Sequence, residues 1–440
     1  MQIGVDSLVS EKYRKAKENP SISPGILWKE LIDEILSSPD LGRAALKCLK
    51  ERPTFTKKIL RDRKNSNIPK PPTTWKNFEI PEELTKTTCQ EQFLCMNLVI
   101  NPLDEESERI IGYSSPEQQS LLQKATVLFC DGTFAFVEDS GLFKQIYIVN
   151  VQMENDEAVP VAYYFLPGKS AEIYSLMLQN LKEIGANSFQ HFYIDFEAAM
   201  VKSLKEVFGP NVKISFCSVH FQRNLTENLK SKGLAGDYRK DPKLQKFIKL
   251  LWALQLVPAT QIPEVFDICI LPFAPWRTPA NPEDENEAED CDDFNTHLEE
   301  FIEKYFIPGY IGEKTVRTRK KPRFSLEGLS KVDSIKTGHL TTNICESQHR
   351  QLSKDLSRGK ASLWRLISIL KKEHSLIVGK IVNANRGDIP QHHSPNNSRK
   401  AKRVKERKRV ETLVAKFETY DDKRQYLHEV AGYMTDDLFL

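Results

Sequence analysis

The chain has 440 residues, of which 40% are hydrophobic and 28% charged, with a formal net charge of +3. That length suits one large domain with insertions, or two to three smaller ones, and the apolar content is enough for a real core. No apolar run nears the roughly 18 residues that cross a membrane, the start MQIGVDSLVSEKYRK has no h-region, and eight scattered cysteines without a CxxC pair read as reduced thiols, so neither a membrane partner, a secretory route nor a disulfide framework is expected.

Residues 1–64 read as a small helical region. SPGILWKELIDEILSS offers Ser23 as N-cap and Pro24 at the first helical position, with Ile26, Leu27, Leu31 and Ile35 near one face. SPDLGRAALKCLKERP repeats the Ser-Pro start and is expected to stop at Pro53. TFTKKILRDRK predicts a third helix ending in the basic cluster Arg61 to Lys64, a possible DNA contact. Residues 65–108 read as linker and lead-in, opening on the Pro-rich NSNIPKPPTTW.

The texture changes at Arg109. ERIIGY and ATVLFCDGTF are strand-like, and KQIYIVNVQM and AVPVAYYFLP follow, rich in β-branched and aromatic residues. The last three predict an antiparallel meander. SAEIYSLMLQNLKEIG is a helix capped by Ser170 and closed by Gly185. HFYIDFE then reads as strand, AAMVKSLKEVFG as helix, VKISFCSVH as strand and FQRNLTENLKSKG as helix. Three antiparallel strands followed by α/β crossovers build one mixed five-stranded sheet with flanking helices, the layout of a ribonuclease H-like α+β core over 109–235.

Residues 236–340 read as a large all-helical insertion. It holds a loop-like LPFAPWRTPANPEDE, an acidic run EDENEAEDCDD with eight acids, and a basic block RTRKKPR from Arg317 to Arg323. Residues 341–384 read as two core helices, TTNICESQHRQLSKDLSRG and ASLWRLISILKKEHSLIVGKI. Residues 385–440 read as a basic, partly disordered tail, with structure absent from Asn385 to Val410 except for helix after Lys405. SRKAKRVKERKR within it carries eight bases and one acid. Such basic runs suit solvated faces, nucleic-acid contact or nuclear import alike.

Two aspartates sit where apolar strands end: Asp131 in the first core strand and Asp195 in the fourth. The fourth strand lies beside the first in this topology, so the two carboxylates converge. Desolvating either alone is costly, and a divalent cation is the usual way to hold two such anions together. Glu346, on the capped helix after the insertion, is the third candidate. Three oxygen donors suit Mg²⁺ or Mn²⁺, and two such ions about 3.5–4 Å apart serve phosphoryl transfer. Any single acid is more often a surface or capping residue; the apolar context lifts the two aspartates above that, and Glu346 has no such support from pattern alone. Cys217 and His220 form half a zinc site by spacing, with no second half in the sequence, so a structural zinc is not expected. His349, one helical turn after Glu346, points to the same side.

DGTF at Asp131, YIDFEAAM around Asp195, CSVHFQRNL from Cys217 to Leu225 and TTNICESQHRQL from Thr341 to Leu352 resemble the Mutator-like element (MULE) transposase family over roughly Arg109 to Lys372. The resemblance implies a ribonuclease H-like core with a DDE triad and a helical insertion before the last acid. Asp131, Asp195 and Glu346 carry over as the triad and metal ligands, with two Mg²⁺ or Mn²⁺ ions as cofactor. Cys217 and His220 carry over as a Cys-x-x-His feature near the active site; Arg223, His349 and Arg350 are the further DNA-contact candidates. The family reading implies a nuclear transposase that cuts and joins double-stranded DNA at terminal inverted repeats and target sites, acting as a homo-oligomer. Many animal relatives carry an N-terminal FLYWCH-type zinc finger, whose Cys/His spacing does not occur here. The alternative is a domesticated, catalytically inactive DNA-binding regulator.

Overall fold

The structure is a computed structural model that describes residues 2–18, 22–64, 72, 78–103, 107–134, 142–153, 158–188, 190–280, 285–337, 349, 352, 354, 361–385 and 398–433. Helices α1 (Gln2–Glu18), α2 (Pro24–Ser37) and α3 (Arg52–Lys64) pack on one another. Their core of Val5, Ala16, Leu27, Leu31, Ile35, Phe55 and Ile59 is separate from the sheet's. Ser23 caps α2 as expected, accepting from the Ile26 amide. Pro53 does not stop a helix. It stands in the first turn of α3, where a missing N–H costs nothing; the stretch before it holds only the turn Gly42–Ala45 and a short 3₁₀ segment.

The sheet has seven strands in the order β1-β2-β5-β4-β3-β6-β7. β3 (Val127–Thr133), β4 (Gln145–Gln152) and β5 (Ala158–Leu166) form the expected antiparallel meander. β6 (His191–Ile194) and β7 (Lys213–Phe216) add in parallel on the β3 side, reached through helices α5 (Ala171–Glu183) and α6 (Ala198–Phe208). The five-stranded expectation is corrected by two further strands beyond β5. These are β1 (Leu94–Val99) and β2 (Arg109–Tyr113), followed by α4 (Pro116–Lys124). β1 lies inside the stretch read as lead-in.

The central strands are apolar on both faces because both are covered. In β4, Tyr147, Val149 and Val151 enter the core shared with α5, α6 and the insertion. Ile146 and Ile148 point the other way, onto Trp364, Ile367 and Leu370 of the long helix α11 (Leu363–Asn385). Period-two alternation within a near-continuous apolar run is what a doubly covered strand needs.

After β7 the chain enters α7 (Ser218–Ser231), α8 (Pro242–Ala253), α9 (Ile262–Cys269) and α10 (Glu285–Glu299), which runs into a widened π-type helix, Glu300–Ile311. VKISFCSVH is therefore not all strand: the helix begins at Ser218, with Cys217 as N-cap. From Glu285 the acidic run is helix, its acids at the positive end of the helix dipole. The insertion is not purely helical, since Lys314 and Arg319 pair across a short hairpin. In the tail, α12 (Ser398–Ala415) covers much of the stretch expected to lack structure, and Val410, Val414 and Phe417 join the main core together with Tyr426 and Leu427 of α13 (Lys423–Ala431). No helix among the described residues is long and apolar enough to cross a membrane.

The insertion returns to the sheet edge it left. The turn Leu326–Leu329 packs on β7, and Gly328 is there because a Cβ would lie 2.7 Å from the Phe216 ring. Lys331, wholly buried, donates its ammonium to the Phe216 carbonyl. Burial holds its pKa down to about 7 from the usual 10.5, against a partial upward pull from Cys217. Between those values the unfolded chain binds more protons than the folded one, so stability rises with pH. Urea titrations from pH 7 to 9.5 are expected to show wild type gaining stability relative to Lys331→Met across that window; parallel pH profiles would contradict the assignment.

Candidate active site

The sheet register brings two carboxylates together. β3 and β6 are parallel, with Phe129 opposite Tyr193 and their rings stacked at 5.2 Å. Two residues on, side chains return to the same side. Asp131 therefore falls level with Asp195, which stands one residue past the end of β6. Asp131 is 6% exposed and accepts from the Gly132 amide at 2.9 Å; Asp195 accepts from the Phe196 amide at 2.6 Å. Both line a cleft of about 330 Å³ with Lys169, Glu197, His220 and Arg223.

Each aspartate has a histidine beside it. His220 Nδ1 lies 3.7 Å from Asp195 Oδ1, and His349 Nδ1 lies 3.8 Å from Asp131 Oδ2. The two rings are driven in opposite directions. For His220, burial pushes the pKa down, but the hydrogen bond to Cys217 and the charges of Cys217, Asp195 and Asp131 outweigh it and raise the value to about 10. For His349, burial and the positive charge on His220 lower it to about 4. At neutral pH the cleft thus holds one imidazolium and one neutral imidazole. Opposed shifts of this kind are common where groups have separate chemical tasks.

Cys217 and His220 stand on the first turn of α7, and Arg223 lies one turn further on the same face. Glu346 and Arg350 lie outside the described residues. His349, three residues after Glu346, is described, so its motif reaches the cleft through that residue.

A second layer went unread in the sequence. Glu197, two residues beyond Asp195, ion-pairs with Lys169, whose ammonium lies 4.4 Å from the centre of the Phe134 ring. Tyr174 donates to the other Glu197 oxygen at 2.5 Å, and Gln145 donates to the Tyr174 hydroxyl at 3.1 Å. Burial, then the charge of Glu197, raises the Tyr174 pKa, so it stays a donor. Gly132 makes room for this chain, because a Cβ there would collide with the Gln145 side chain. The available signal was local: the glycine after Asp131, and the second acid of YIDFE.

The cleft suits a hard cation. Its two facing acids, Asp131 and Asp195, offer the oxygen donors such an ion takes. Among the described residues no group of three or more His, Cys, Asp or Glu side chains is arranged to hold a metal.

Residues 127–224 match the family model of the MULE transposase domain. The segment, under a quarter of the chain, contains Asp131, Asp195, Cys217, His220 and Arg223. No match is found among curated proteins. That domain implies a transposase-related function and, with it, interaction with DNA in general.

Tyr174 and Glu197 are expected to act as a unit. In a double-mutant cycle of Tyr174→Phe and Glu197→Gln, read by urea unfolding, the coupling should reach about 1 kcal/mol or more, as for a charge-assisted hydrogen bond. Additive effects would mean that the contact is not formed in solution.

Proposed function

We propose that this chain is a DDE transposase of the MULE type, cleaving and joining double-stranded DNA at terminal inverted repeats with Mg²⁺ or Mn²⁺. The observation that carries the reading is the convergence of Asp131 and Asp195 at one cleft, with His349 of the Thr341–Leu352 motif 3.8 Å from Asp131. Asp131, Asp195 and Glu346 would hold two ions. Bound there, the ions supply the charge that activates a water or a DNA 3′-hydroxyl and steadies the leaving oxygen.

The protein's own groups prepare that site. The Gly132 and Phe196 amides fix one oxygen of each aspartate. His220, held protonated, offsets their charge and resists their spreading. His349, neutral, is free of charge repulsion with an incoming cation. Arg223 lines the cleft and suits the phosphates of a bound strand. The basic blocks 317–323 and 398–409 would add salt-dependent, mainly sequence-independent affinity and suit a nuclear protein. Joining two DNA ends calls for a homo-oligomer. Kinship with the animal, FLYWCH-associated members belongs to the same reading.

The test is nicking and strand transfer on a plasmid carrying the flanking terminal repeats, with Mg²⁺ or Mn²⁺. Asp131→Asn, Asp195→Asn and Glu346→Gln should each cut the rate by about 100-fold or more, while DNA binding persists. Wild type that binds DNA yet never cleaves it, under either metal, would replace this reading with the domesticated regulator.

A further inference from the structure

The basic block 317–323 stands on a hairpin of the insertion, and its construction says more than general phosphate affinity. At the end of the widened helix, buried Gly312 turns the chain with φ 90°, and a Cβ there would collide with the Lys320 carbonyl. The two arms then run out and back, joined by one β-bridge between Lys314 and Arg319. Lys320 donates its amide to the Glu313 carbonyl at 2.9 Å, and Thr315 to that of Thr318 at 2.7 Å. Arg319 clamps the base, reaching the Gly312 carbonyl at 2.6 Å and the Asp267 carboxylate.

The tip is built in an unusual way. Tight turns favour Gly, Asn or Asp at their centre, yet Val316 and Arg317 stand there. The Thr315 hydroxyl holds the turn instead, donating to the Thr318 carbonyl and accepting the Thr318 amide. Val316 is 103% exposed, among the most exposed large apolar side chains described. Arg317 beside it, and Lys321 and Arg323 along the return arm, are exposed and have no ion-pair partner among the described residues. Arg319, Lys320 and Lys314, by contrast, all have acidic partners. The hairpin thus divides its cations: one set locks the scaffold, the other is left for something outside.

The base of the hairpin is tied to the cleft. Phe324, which ends the return arm, packs edge-on at 5.0 Å against Phe196, the residue after Asp195. It also stacks on Tyr310 of the widened helix at 5.7 Å. A rigid aromatic joint therefore links the hairpin to the strand end that carries an acid.

We infer that the hairpin 312–324 is a contact for duplex DNA, with Val316 and Arg317 entering a groove and Lys321 and Arg323 bearing on the flanking phosphates. An exposed apolar residue next to an exposed arginine is the chemistry of groove insertion; cations in a row without ion-pair partners among the described residues are that of phosphate tracking. The contact would set where the duplex lies relative to Asp195. The inference rests on the DNA-transposase reading but tests a separate surface.

The experiment measures binding of the full chain to a 30-base-pair duplex by fluorescence anisotropy across a salt series. It compares wild type, Val316→Ser/Arg317→Ala and Lys321→Ala, with melting curves to show that these exposed changes leave the fold intact. The tip variant should lose about tenfold or more in affinity, and Lys321→Ala should lower the salt slope by about one. Wild-type affinity in the tip variant would overturn the hairpin proposal and leave the catalytic reading standing. Duplex binding absent from wild type itself would overturn both. A tip variant that binds normally but no longer enters nuclei would reassign the block to import.

Discussion

The parallel pairing of β3 with β6 is the constraint on which the rest depends. Parallel strands cannot be joined by a tight turn, so the chain between them must cross the sheet. Here the crossing takes in β4 and β5, which extend the sheet beside β3, and α5, which covers one of its faces. The register then does the chemistry's positioning. With Phe129 opposite Tyr193, the next side chains on the same side are two aspartates. A slip of one residue would turn one of them to the other face. The stacked Phe129 and Tyr193 rings, and the Tyr193 hydroxyl bonded to Ser334 at 2.8 Å, oppose such a slip.

Holding two anions at one strand end is unfavourable, and the surroundings answer it in layers. Backbone amides take one oxygen of each aspartate. His220 supplies a positive charge on one side. A third acid, Glu197, has its charge offset by the Lys169 ammonium and takes a hydrogen bond from Tyr174, so it adds little to the repulsion. The glycine after Asp131 serves this same end, because a larger residue would displace Gln145 and with it the donor to Tyr174.

Much of the core was legible because its signals were local and unopposed. Alternation within KQIYIVNVQM, the Ser170 and Ser23 caps, and an apolar run ending in an acid each have one physical reading. The failures have causes of the same kind. β1 is a half-exposed edge strand without clean alternation, so its periodicity was weak. The start of α7 was hidden because Cys217, its N-cap, makes no side-chain cap bond. At and just after the end of the acidic run, Cys291, Phe294 and Leu298 keep a helical spacing, as an all-helical insertion requires. In the tail, Val410, Val414 and Phe417 recur in the same way among the bases. Around the cleft, Asp131, Asp195, His220 and Arg223 stand out by motif, while Lys169, Tyr174 and Gln145 do not, because what binds them to Glu197 is a contact across elements and leaves no spacing in the sequence.

The return of the insertion to β7 has a consequence for how such a protein can change over time. The chain departs at Phe216 and is pinned back to the same carbonyl by Lys331. Everything between is a closed excursion, and the entropy of closing a loop grows only slowly with its length. Lengthening or trimming the excursion away from its anchors therefore leaves the segment after Lys331 starting from the same point. A lineage carrying this latch can remodel what it grips without re-solving where its downstream residues begin.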